Sequence, residues 1–266
     1  EYFEHFSILE LDFTFYGLLL DDHSNPTPTH RVLETYRRNL KDADRIVLKV
    51  PQTVFAQKLW RGGKFAENPG YLNAEIFIQK FYAPALKLLG PTLQGFIFEQ
   101  EYQAKKERPS PDLFVSALDR FFEHIPKDDR YHVEVRTEGL LTKTYFEVLE
   151  KHGIGQVLSH WTWLPPLRKQ FSKGSGRFLN AGKQVVIRLM TPIGMRYEEA
   201  YLKAFPFDKM VEGMMSPRMP EETAEVMSEA IKQDVKANVI INNRAGGNAP
   251  LIAQKVAEKF IQSSKQ

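Results

Sequence analysis

"LELDFTFYG", residues 9–17, alternates like a strand, with Glu10, Asp12 and Thr14 on one face and Leu11, Phe13 and Phe15 on the other. A half-exposed antiparallel strand would keep such a polar face in water, whereas a strand in a parallel barrel has both faces covered. The charged face then has one sensible destination, the barrel interior near its mouth. For that reading to hold, the pattern must recur, and it does. Short β-branched or aromatic runs occur at 8–13, 45–50, 95–99, 132–136, 155–160, 185–190 and 238–242. Between them apolar residues return at helical spacing: Val32/Leu33, Tyr36 and Leu40; Phe114, Ala117/Leu118, Phe121 and Ile125; Tyr145/Phe146 and Leu149; Ile252, Val256 and Phe260.

The punctuation agrees. Ser110-Pro111-Asp112 supplies a capping hydroxyl, a first-turn proline and an early acid, and Pro220, Glu221 and Glu222 open "MPEETAEV" in the same way. "RKQFSKGSGRFLNAGK", residues 168–183, has no clean period and is expected to be a connector. Strand–helix alternation admits an open doubly wound sheet or a closed (β/α)8 barrel. A length of 266 residues favours the barrel, for which about 250 is typical. The expectation is therefore an α/β fold of TIM-barrel type in one domain spanning 1–266, with seven strands counted and the first β unit absent or altered.

Composition narrows the setting. With 36 Lys+Arg against 33 Asp+Glu, the formal charge is only +3, a weak argument for nucleic acid. Zero cysteines exclude disulfides, thiolate metal sites and a cysteine nucleophile, and fit a reducing compartment. No apolar run is long enough for a membrane span, and no segment reads as a signal peptide, so a cytoplasmic protein is expected.

Several stretches resemble the YecE-like family, a family of unknown function (domain of unknown function 72) with a TIM-barrel fold. "FSILELDFTFYG" is similar to its F-x-x-V-E-x-N-x-T-F-Y strand, "RIVLKVP" to its apolar strand ending in lysine and proline, and "LGPTLQGFIFEQ" to its L-G-x-x-L-x-x-x-L-x-Q stretch. "YHVEVRT" resembles its E-x-R strand, "VVIRLM" its R-L-H-G strand, and "VIINNRAGGNAPLIAQKV" its F-N-N-D-x-x-G-x-A-x-x-N-A ending. The departures are specific: Asp12 replaces an asparagine, Met190-Thr191 a histidine and glycine, and Arg244 an aspartate. The family's glycine-rich and aromatic opening strand has no counterpart in this sequence. The resemblance implies a fold and no particular chemistry.

In a barrel, chemistry sits at the C-terminal ends of the strands. The polar residues there are Glu10, Asp12, Lys49, Glu99, Gln100, Glu134, Arg136, His160, Arg188, Asn242 and Asn243. They read either as a buried ion network that holds the barrel mouth or as the lining of a site. As a site, acids and bases in a concave cavity suit general acid/base work on a small anionic or polyhydroxylated molecule. Glu134 would be the base, Glu10 or Asp12 the second carboxylate, and Lys49, Arg136 and Arg188 would bind or stabilise negative charge, arginine by its planar fork.

"NNRAGGNAP", residues 242–250, offers Arg244, Gly246 and Gly247 as an anion nest at a helix start, or else a simple turn capped by Asn248. The seven histidines form no H-x-H or H-E-x-x-H spacing, so no metal is assigned, and no motif calls for a cofactor. Bases interleaved with aromatics, as in "LRKQFSKGSGRF" and "KLWRGGKF", raise a non-catalytic alternative in which basic loops with Lys169, Lys173 and Arg177 grip nucleic acid; they read equally as lids or solvated loops.

Overall fold

The computed structural model describes residues 2–106 and 108–263, in two compact units, Glu1–Val133 and Glu134–Gln266. Strands of the main sheet alternate with helices along both. All seven expected strands are present among the described residues; 155–160 is met at both ends and the other six have ends shifted by at most two residues.

The first unit holds β1 (Ile8–Leu11), β2 (Arg45–Lys49), β3 (Lys58–Arg61), β4 (Lys64–Glu67) and β5 (Leu93–Glu99), and β6 (Tyr131–Glu134) starts within it. Its helices are α1 (Pro28–Asn39), α2 (Gln52–Phe55), α3 (Ala74–Phe77), α4 (Ala83–Leu89) and α5 (Pro111–His124). β1 pairs with β2 and β2 with β5, all parallel, so the polar residues ending these strands come out at one end of the sheet.

β1 stops at Leu11, earlier than its alternation predicts. The Thr14 hydroxyl bridges the Leu11 and Lys49 carbonyls at 3.0 and 2.8 Å, and Asp12–Tyr16 winds into a 3-10 turn. Strand parity therefore does not extend to Asp12, which stands 53% exposed while Glu10 is half-buried.

α3 and α4 are joined by a π turn, Ile78–Tyr82. Its cause is Pro84, which has no amide to donate to the Lys80 carbonyl four residues back. That carbonyl instead accepts from the Leu19 and Leu20 amides at 2.9 and 3.1 Å. Phe77 thereby reaches the centre of an aromatic core, with the rings of Phe81, Phe96, Phe98, Phe121 and Tyr131 all within 6.4 Å of its own. α1 begins on Thr27, whose hydroxyl accepts from the His30 amide, but it buries only Leu33; Val32 and Tyr36 stay exposed, a narrower stripe than the periodicity suggests.

"KLWRGGKF" is neither a loop nor a connector: β3 and β4 form an antiparallel hairpin. Gly62 and Gly63, with φ of +57° and +82°, supply the two positive values that a two-residue hairpin turn needs. Glu101 holds its base, since the carboxylate accepts from the Gln57 and Lys58 amides at 2.8 and 3.1 Å.

The second unit contains β7 (Gly155–His160), β8 (Gln184–Leu189) and β9 (Lys236–Ile241), again parallel, with Ser159 opposite Arg188 and Arg188 opposite Ile240. Its helices are α6 (Lys143–His152), α7 (Leu167–Lys173), α8 (Tyr197–Ala204), α9 (Met219–Lys232) and α10 (Ala249–Ser263). α6 starts on the Thr142 hydroxyl and ends on left-handed Gly153. Leu158, Val185, Ile187 and Leu189 of the strands pack with Leu167, Val226, Ile252 and Val256 of the helices.

The connector expected at 168–183 is helical over its first third, because α7 is fixed from below. Buried Gln170 donates to the Ser159 and Pro165 carbonyls at 2.7 Å each and accepts from the Ser159 amide at 3.1 Å. A glutamine locked in this way leaves no trace in apolar periodicity.

Candidate functional site

The strand-end residues assemble within each unit. In the first, Lys49 closes β2 and its ammonium lies 2.9 Å from both Asp12 and Glu99, and 4.0 Å from the centre of the Phe15 ring. Lys49 is buried, Glu99 nearly so, and Asp12 faces water. An ammonium between two carboxylates is well compensated, which is the condition for burying it.

Behind it Gln100 is buried, donating to Glu101 at 2.6 Å and accepting from the Tyr71 hydroxyl at 3.4 Å. Burial raises the Glu101 carboxyl above its usual value, against the hydrogen bonds that lower it. Glu101 went unmarked in the sequence because it follows β5 in a stretch without periodicity.

In the second unit Glu134, the last residue of β6, is fully buried. One carboxylate oxygen accepts from the Ser159 hydroxyl and the other from Arg188; Arg136 approaches at 3.4 Å. Both arginines are at least 95% buried. Burial, with the Glu134 charge second, pushes the Tyr145 hydroxyl well above its usual value, so it stays neutral. Glu134 thus engages two guanidinium groups and a hydroxyl and exposes no surface; its geometry is that of a positioning counter-charge for the arginines. Ser159 was missed by sequence reasoning, although its parity with Trp161 and its place opposite Arg188 mark the inward face of β7.

Arg136 also lies over the Trp161 ring, 4.6 Å from its centre. Trp161 neighbours Tyr197 at 6.5 Å, and the Arg244 guanidinium covers Tyr197 at 4.0 Å and Tyr201 at 5.2 Å. A row of guanidinium and aromatic groups, Arg136, Trp161, Tyr197, Arg244 and Tyr201, therefore lies beyond the strand ends of this unit. The two tyrosines stand one turn apart on α8, and that i, i+4 spacing was the available signal.

The anion nest expected at Gly246 and Gly247 is not formed. Both amides donate to the Asn243 carbonyl, at 3.3 and 2.7 Å, and the Gly246 carbonyl accepts from Val211. The glycines are buried because the chain at 209–211 passes directly over them. Asn242 turns the chain by accepting from the Arg244 amide at 3.0 Å, Asn243 accepts from Ala249 at 2.8 Å, and Asn248 from Leu251 at 3.0 Å. Of this motif, Arg244 sends its side chain to helix α8, where its guanidinium lies over Tyr197 and Tyr201.

His160 is buried at the end of β7, and its Nδ1 lies 3.0 Å from the Thr191 carbonyl. A carbonyl only accepts, so Nδ1 carries the proton and Nε2 the lone pair. Burial lowers its pKa below 6.5, favouring the neutral ring in the fold. The stability this confers is present above pH 6.5 and is lost as the pH falls through the folded value. Thermal melts should therefore weaken below pH 6.5, and His160→Gln, which keeps a donor without titrating, should flatten that fall. An equal pH slope in both proteins would show that His160 is not its source.

The basic residues of "LRKQFSKGSGRF", on which the nucleic-acid alternative rests, face acids. Lys169 and Lys173 approach Glu138 at 3.4 and 3.7 Å, Arg177 reaches Glu150 at 2.7 Å, and Arg168 meets Glu225 at 3.1 Å. A mixed-charge surface gives phosphate backbones little to follow. No helix among the described residues is long and apolar enough to cross a membrane.

Three comparisons bear on this geometry. The model of the family described as "Protein of unknown function DUF72" matches residues 1–266. Among solved structures, the chain is similar to a DUF72 family protein from Enterococcus faecalis V583, with 17% identity, a TM-score of 0.62, and coverage of 98% of this chain and 86% of that one. It is also similar to a DUF72 family protein from Thermotoga maritima MSB8, with 17% identity, a TM-score of 0.57, and coverage of 100% and 88%. No curated protein matches. At such identities the likeness speaks for the fold, which is α/β and of TIM-barrel type, as the sequence led us to expect.

Proposed function

Starting from the fact that this chain belongs to the DUF72 family, we propose that it binds a small anionic or polyhydroxylated molecule at the strand ends of its second unit. The observation that carries this reading is Arg136, anchored on buried Glu134 at 3.4 Å and laid over Trp161 at 4.6 Å, with Arg188 on the same carboxylate. Guanidinium groups fixed by an ion pair are pre-organised for a planar oxyanion, so little ordering cost remains when the ligand arrives. General acid/base turnover goes one step further. Glu134, closed off by Ser159 and the two arginines, is poorly placed for that step.

The test is a thermal-shift screen of inorganic phosphate, phosphosugars and sugar acids. A ligand at a hundred times its Kd stabilises by about 2.7 kcal/mol, which for a chain of this size is roughly 5–10 °C in Tm. The shift should vanish in Arg136→Gln. If no anionic compound moves the Tm of the wild type, the reading is wrong.

A further inference from the structure

Three polar atoms of the second unit are buried without a hydrogen-bond partner just beyond three successive strands: Trp161 Nε1 after β7, Thr191 Oγ1 after β8 and Arg244 Nε after β9. Burying such a group unpaired is costly, and native folds pair the great majority of them. Single orphans occur elsewhere, at His30, Arg108 and Gln156, but three at the same end of adjacent parallel strands form a pattern. The strands pair in the order β7-β8-β9, so the residues that follow them are neighbours.

Further contacts tie the three together. Thr191 follows β8 and its carbonyl receives His160, the residue next to Trp161. Trp161 touches Tyr197, and Tyr197 carries the Arg244 guanidinium. Arg244 is itself restrained: its amide and Nη1 both donate to the Asn242 side chain, at 3.0 and 3.3 Å, and its plane lies on Tyr197. What this leaves is the Nε edge of the guanidinium, the edge that with Nη2 forms the fork matching a carboxylate or phosphate.

We propose that Trp161, Thr191 and Arg244 form the oxyanion-recognition pole of the site, taking one carboxylate or phosphate group of the ligand through the indole N–H, the threonine hydroxyl and the Nε–Nη2 fork. This rests on the proposed binding function and deepens it. It assigns the anionic end of the ligand to the β7–β9 strand ends, with Arg136, which also lies over Trp161, left for the remainder of the molecule. The recognised chemistry is an oxyanion with at least two oxygens, common to phosphate monoesters and carboxylates.

The experiment titrates inorganic phosphate and, separately, succinate into the intact chain by calorimetry, with Trp161→Phe, Thr191→Val, Arg244→Lys and Arg136→Gln alongside. Trp161→Phe keeps an aromatic ring but removes the indole N–H together with the fused five-membered ring, so Thr191→Val, a nearly isosteric loss of one hydroxyl, serves as the cleaner variant; melting curves identify any that fold poorly. Trp161→Phe and Thr191→Val should each weaken the Kd by about tenfold to a hundredfold, and Arg244→Lys, which loses the fork, by about a hundredfold or more, as expected for losing one and two hydrogen bonds to a charged group. Phosphate alone binding identifies a phosphate ligand, succinate alone a carboxylate, and either supports the assignment if the three variants weaken it. Wild-type affinity in all three, with binding lost only in Arg136→Gln, overturns this assignment and leaves the binding function standing. No binding of either anion to the wild type overturns both.

Discussion

Glu134→Gln is expected to lower unfolding stability by about 3–5 kcal/mol, the usual consequence of removing one member of a buried ion pair. Glu134 has no exposed surface, and its two oxygens are taken by Arg188 on one side and Ser159 with Arg136 on the other. An amide in its place keeps one acceptor but turns a donor toward a guanidinium and removes the charge that compensates Arg188, itself only 2% exposed. The loss should appear as a lower denaturant midpoint at unchanged slope.

Arg188→Met adds the decisive comparison. If the penalty comes from a stranded charge, the double variant will be more stable than Glu134→Gln alone, because the cation has gone with its partner. A double variant that loses the sum of both single effects would refute the ion-pair account. The same result bears on function, since a carboxylate that holds two arginines in place is a poor candidate for a base that must meet substrate.

What could be read from the sequence, and what could not, follows from the range of the forces involved. Strand positions were legible because a parallel strand buried on both faces writes an apolar run into the chain, as in Arg45–Lys49 and Gln184–Leu189. The lysine and arginine that interrupt those runs were legible for the same reason: a charge inside an apolar strand needs a partner, and Lys49 and Arg188 have theirs.

Side chains acting on backbone were legible at helix caps such as Ser110 and Asn248 and not elsewhere. Thr14 ends β1 by reaching two carbonyls, Gln170 makes a helix of an expected connector, and Pro84 releases a carbonyl to Leu19 and Leu20. Each depends on a backbone group outside the element's own periodic pattern, 11 residues away for Gln170 and 35 for Thr14, and none alters the hydrophobic period. The row from Arg136 through Trp161 and Tyr197 to Arg244 was half legible, since its arginines stood at strand ends while its tyrosines lay on α8, where two aromatics usually signal packing.

The glycine pair after β9 shows how one motif can carry two physical explanations. A nest predicts free amides and a concave surface, so that Gly246→Ala and Gly247→Ala would both weaken anion binding at modest cost to folding. Close packing predicts unequal costs in folding, and the geometry supports this second account. A Cβ on Gly247 would lie 2.3 Å from the Lys209 carbonyl oxygen and 2.9 Å from the Val211 amide nitrogen, both backbone atoms. Its φ of +110° is also one that other residues adopt only under strain. Strained backbone and overpacking together put the loss for Gly247→Ala at about 2–6 kcal/mol.

Gly246→Ala meets softer neighbours, the Met215 Cβ at 3.0 Å and the flexible end of Met210 at 3.2 Å, and should cost clearly less. Urea unfolding of the two variants, with phosphate titration of whichever remains folded, separates the explanations. Equal and small stability losses accompanied by a loss of phosphate affinity would restore the nest. A large loss confined to Gly247, with phosphate affinity intact in Gly246→Ala, would establish that these glycines exist to let the chain at 209–211 cross the start of α10, and that anion recognition in this unit belongs to side chains.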